Sequence, residues 1–86
     1  MTPGIPLPND RGQLELPDTG DGYISAVICR RPDGSVGWQA LPPEGDGDAW
    51  VTVFLEGDAV VANSWSCWRV LYDMTTGTET ARHFTK

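Results

Sequence analysis

The sequence predicts an all-β chain, an antiparallel meander of about six short strands, and three observations predict it. No segment carries apolar residues at i, i+3, i+4 and i+7 over a helical length. Runs rich in β-branched and aromatic residues recur along the chain. Gly and Pro interrupt those runs roughly every eight to twelve residues, the spacing of turns between short strands.

Taken in order, residues 1 to 20 hold four of the seven prolines, Pro3, Pro6, Pro8 and Pro17. Fixed φ angles and missing donors make this a Pro-rich N-terminal arm, with one short edge strand possible where Leu14 and Leu16 alternate with polar neighbours. A single β domain is expected over residues 21 to 86. YISAVICR, Tyr23 to Arg30, is a strand stopped by the Pro32-Asp33-Gly34 turn, and SVGWQAL continues to the Pro42-Pro43 stop. EGDGD, Glu44 to Asp48, reads as a flexible acidic loop. WVTVFL, Trp50 to Leu55, is apolar on both faces, with Val51, Val53 and Leu55 on one and Trp50, Thr52 and Phe54 on the other. The Glu56-Gly57-Asp58 turn leads to AVVANSW, then CWRVLYD from Cys67 to Asp73, the MTTG turn, and TETARHFTK as a last strand. Such a meander forms a blade-like sheet or a small curled barrel.

At 86 residues there is room for one small core. With 40% hydrophobic and 21% charged residues the chain is neither a disordered polyanion nor a membrane protein, and no apolar run approaches the ~18 residues of a span. The net charge of −6, from 12 acids against 6 bases, disfavours a nucleic-acid partner, because phosphate contacts need a basic face. MTPGIPLPND lacks the positive and apolar regions of a signal peptide, so a cytoplasmic location is expected, with Cys29 and Cys67 as free thiols rather than a bridge.

The chain repeats loosely on itself. Ile24 to Leu41 lies over Cys67 to Phe84 at a constant offset of 43 (Val27 on Val70, Gly34 on Gly77). Within that repeat, Leu71-Tyr72-Asp73-Met74-Thr75-Thr76-Gly77 resembles the strand-to-turn signature of quinoprotein-like (PQQ-type) β-propeller repeats, where an Asp precedes a Thr-Gly turn and a Trp follows four residues after the Gly. Gly34 and Trp38 keep that spacing, whereas Gly77 is followed by Ala81. The resemblance implies a blade-like sheet. It implies no cofactor, because a ring of blades holds that group and one and a half repeats supply no ring.

Chemistry-bearing residues are sparse. His83 is the only histidine, and a dyad with Cys67, Cys29, Ser64 or Ser66 has no supporting GxSxG or oxyanion turn. Two separated cysteines and one histidine do not make a zinc site. The acidic loops Asp18 to Tyr23 and Glu44 to Trp50 depart from calcium-loop spacing and read as turn chemistry. The aromatics are the remaining candidates. Trp65 and Trp68 are three apart in ANSWSCWRV, so a continuous strand would point them to opposite faces, and a bulge at Ser66 or Cys67 would bring them to one. Partner or ligand contacts are therefore expected at Trp50, Trp65, Trp68 and Arg69. The expected function is a non-catalytic β-sheet module working through protein contacts, as a homo-oligomer or accessory subunit. The alternative is a module binding a small ligand or carbohydrate through Trp50, Trp65 and Trp68.

Overall fold

The computed structural model describes residues 4–20, 22–45 and 47–85. These form eight strands in two four-stranded antiparallel meanders. β1 (Gly4–Pro6), β2 (Gln13–Glu15), β3 (Val27–Arg30) and β4 (Val36–Ala40) make the first sheet, in that order. β5 (Trp50–Glu56), β6 (Ala59–Ser64), β7 (Trp68–Asp73) and β8 (Glu79–Phe84) make the second. All-β meander architecture is present. The expectation of about six strands in one blade-like sheet or small curled barrel is corrected to eight strands in two open sheets.

Part of that difference lies in the Pro-rich segment, which supplies the short strand expected at Leu14 as β2 and, beside it, β1, whose three residues show no alternation. Leu14 of β2 is fully buried and pairs with Cys29 of β3, and Leu7 and Leu16 enter the same core. Ahead of β2, Gly12 turns the chain at φ +108°, where an added Cβ would sit 1.9 Å from the Arg30 carbonyl oxygen. Only glycine fits that approach.

Alternation assigns the faces. Leu14, Val27, Cys29, Trp38 and Ala40 of the first sheet and Trp50, Val60, Ala62, Val70 and Tyr72 of the second share one buried cluster, so the sheets pack face to face as a sandwich. Aromatics join them. The Trp38 ring stacks on Tyr72 with centroids 6.0 Å apart, and its Nε1 donates to the Met74 carbonyl oxygen at 3.0 Å. Trp50 meets Tyr72 edge-on at 6.3 Å and donates Nε1–H to the Ala40 carbonyl oxygen at 3.3 Å. At one corner the main chains of Ile24 and Trp50 exchange two hydrogen bonds, 2.8 and 2.7 Å long, fastening the strand that opens the second sheet to the segment joining β2 to β3 of the first.

The 43-residue offset now has a structural meaning. It superposes β3 on β7 and β4 on β8, the third and fourth strands of each meander. In both hairpins an aspartate holds the turn: Asp33 accepts from the Ser35 amide and hydroxyl, and Asp73 from the Thr75 and Thr76 amides. Those hydrogen bonds pull both carboxyls below their ordinary range. A depressed folded-state pKa contributes stability above the unfolded value of ~3.9, and that stability is lost as pH falls through the folded pKa. The Asp33→Asn/Asp73→Asn variant is therefore expected to lose less stability than the parent between about pH 5 and pH 2.5, measured by urea unfolding. An equal loss in both would assign the acid sensitivity to other carboxylates.

Candidate functional site

The corner Ala62 to Val70 is a tight hairpin. β6 ends at Ser64, three residues turn the chain, and β7 begins at Trp68. The Cys67 amide donates to the Ser64 carbonyl oxygen at 3.1 Å, and Cys67 itself takes φ +73°. A turn closed by a left-handed residue is a usual three-residue hairpin connection, normally with glycine at that place. Cys67→Gly is accordingly expected to stabilise the fold by about 0.5–1 kcal/mol, read as a higher urea midpoint at unchanged slope. A lower midpoint would mean that the half-buried thiol contributes more packing than its backbone costs.

Asp48 clasps this corner from the acidic loop. Its carboxylate accepts from the Ser66 hydroxyl at 2.8 Å, the Ser66 amide at 3.2 Å and the Glu44 amide at 3.1 Å. Its ligands are protein donors, which is a turn-building role. Among the described residues no group of three or more His, Cys, Asp or Glu side chains is arranged to hold a metal ion.

The four expected contact residues do not converge. Trp50 has 0% of its surface exposed, so it belongs to the core and its place in a binding surface is corrected: a bulge at Val51 turns its side chain inward with Val53 and Leu55. Trp65 is 62% exposed and stands outward on the turn. Trp68 is half-buried, edge-on to Phe84 at 5.1 Å, under the Arg82 guanidinium at 5.5 Å, with Nε1–H on a Glu44 carboxylate oxygen at 3.0 Å. Arg69 lies on the other face of β7, bonded to Asn63 at 3.0 Å and opposite His83. His83 thus sits on the outer face of the second sheet, whereas Cys29 is on the inner face of the first, where burial pushes its thiol pKa up. Cys29 and Cys67 are both free.

Two features escaped sequence reasoning. The first is a surface groove of about 430 Å³ lined by Thr19, Tyr23, Gly47, Asp48, Ala49 and Trp65. The second is the β5 edge. Because of the Val51 bulge, Thr52 and Phe54 face outward, and Phe54 heads a row across the sheet with Val61, Leu71 and Ala81. Phe54 is 39% and Val51 43% exposed. The Gly57-Asp58 turn closed by Glu56 and Ala59 fixes the ladder phase. In such a two-residue hairpin the closing pair is hydrogen-bonded, so the N–H and C=O of Val53 and Leu55 point away from β6, to the open edge. Nothing in the Trp50–Val51–Thr52 run marks this bulge in advance, which is why the alternation alone misassigned Trp50 and Phe54 to one face.

No family model, no curated relative and no solved structure matches the chain. The functional reading therefore rests on this geometry.

Proposed function

We propose that the chain is a non-catalytic β-sandwich module that works through protein contacts, made by adding a strand to the free edge of β5. The character of that edge carries the reading. Protein edges are normally blunted by shortness, charge or Pro. β1 is three residues long and ends in Pro6, β4 is broken by a bulge at Gly37, and β8 carries Glu79, Arg82 and His83. Beyond its Val51 bulge β5 runs on through Leu55 with no charge, no Pro and no Gly. Amide exchange of the labelled chain tests the reading: in dilute buffer Val53 and Leu55 should exchange as open amides, and in a cell extract or at high concentration they should gain protection. Unchanged exchange at both amides in every condition would overturn it.

A second reading is favoured by one observation, the placement of two exposed rings, Tyr23 and Trp65, on one groove. Rings so presented suit a sugar or another ring compound. Quenching of tryptophan fluorescence by a glycan panel, lost in Trp65→Ala, would support this reading, and no quenching at millimolar ligand would sink it.

A further inference from the structure

We propose that the strand added to β5 is β5 of a second copy of this chain, in an antiparallel pair centred on Phe54. This rests on the strand-addition reading and names its partner. The outward N–H and C=O groups belong to Val53 and Leu55. Antiparallel pairing that uses them sets Val53 opposite Leu55 of the copy and Leu55 opposite its Val53, each pair exchanging both bonds, for about four in all. The two-fold axis then falls at residue 54. Phe54 faces Phe54 across a non-hydrogen-bonded position, the arrangement in which cross-strand side chains approach most closely.

The chemistry of that register is self-complementary. Phe54 gains an aromatic neighbour, and its outer row with Val61, Leu71 and Ala81 continues into the same row of the copy. Glu56 falls opposite Thr52 of the copy, so no carboxylate meets another. Ile24 already occupies the edge at Trp50, which limits the free run to the residues beyond it and favours a short symmetric pair over a longer strand. The chain's charge of −6 opposes self-association at long range, and salt screens that repulsion over ~8 Å at physiological strength. Dimerisation should therefore strengthen as salt rises.

The test uses the full chain. Sedimentation equilibrium should show a mass rising from 9.4 kDa toward twice that with concentration. Phe54→Lys places like charges face to face and should weaken the dimer by at least about tenfold. An equimolar mixture of Phe54→Lys and Phe54→Glu should recover it. In a Cys67→Ser background, Phe54→Cys should form an intermolecular disulfide on mild oxidation, because the facing Cα atoms lie ~4.5 Å apart, within disulfide reach. Thr52→Cys should not, since the register holds it ~13 Å from its own copy. A dimer that survives Phe54→Lys and leaves Phe54→Cys uncrosslinked would overturn the proposal. A wild-type chain that stays monomeric at every concentration would do the same, and protection of Val53 and Leu55 in extract alone would then leave strand addition by a different protein standing.

Discussion

Trp50→Ala is expected to leave the chain largely unfolded at room temperature. Truncating a fully buried tryptophan costs about 3–5 kcal/mol, and the Ala40 carbonyl loses its indole donor, a further ~1–3 kcal/mol if it stays buried. A chain of 86 residues has a total stability of about 4–13 kcal/mol, so this one change removes most of it. Trp50→Phe keeps much of the volume and loses the indole N–H, so it should retain a cooperative unfolding transition at a lower midpoint. Circular dichroism with urea titration checks both. A Trp50→Ala chain with a near-parental midpoint would mean that the core closes around the cavity or that Trp50 lies elsewhere.

The second large effect is expected at Gly77, and the repeat supplies its control. Gly77 and Gly34 occupy matching places in the two hairpin turns, at φ +76° and +92°. An added Cβ at Gly34 meets nothing within 4 Å, so Gly34→Ala should cost only the left-handed backbone term of about 1–2 kcal/mol. At Gly77 the same Cβ would lie 2.5 Å from Trp38 Cγ and 2.7 Å from its Cβ. That indole is wedged between Tyr72 and the Met74 carbonyl. Gly77→Ala should therefore cost at least about 3 kcal/mol. Combining it with Trp38→Ala should cost less than the sum of the two, because the larger ring no longer opposes the methyl. Equal effects of alanine at Gly34 and Gly77, by urea unfolding, would show that the backbone term is everything and that Trp38 yields.

Much of the fold was readable where the residues carry a two-residue alternation over six or seven positions, as in β5 to β8. The short strand expected at Leu14 is there as β2, but inside the sheet rather than at its edge, because β1 pairs on its far side; β1 itself was not readable, since Gly4–Pro6 offers no pattern. The division into two sheets was hidden for a similar reason: the repeat was visible, but the packing of one meander on the other depends on Trp38 and Tyr72, which no spacing connects. For the candidate surface, the density of aromatics at ANSWSCWRV drew attention to the β6–β7 corner. It left open whether the two rings share a face; Trp65 stands outward and Trp68 is half-buried. The two-faced apolar run of β5 was visible in the sequence, but which of its side chains face outward was not, because that follows from a bulge at Val51, decided by what the neighbouring strand and the Ile24 bridge require.

The unbroken strand order within each sheet has a kinetic consequence. Every ladder joins strands that are adjacent in sequence, so each four-stranded ribbon can zip by short loop closures alone. Neither ribbon hides its apolar side until the other arrives. The encounter of the two, sealed by Trp38, Trp50 and the Ile24 corner, is therefore expected to come late in folding. Alterations in the hairpin turns should change how fast the native state is reached, whereas alterations between the ribbons should change mainly how long it lasts, a split visible in the two arms of a denaturant chevron.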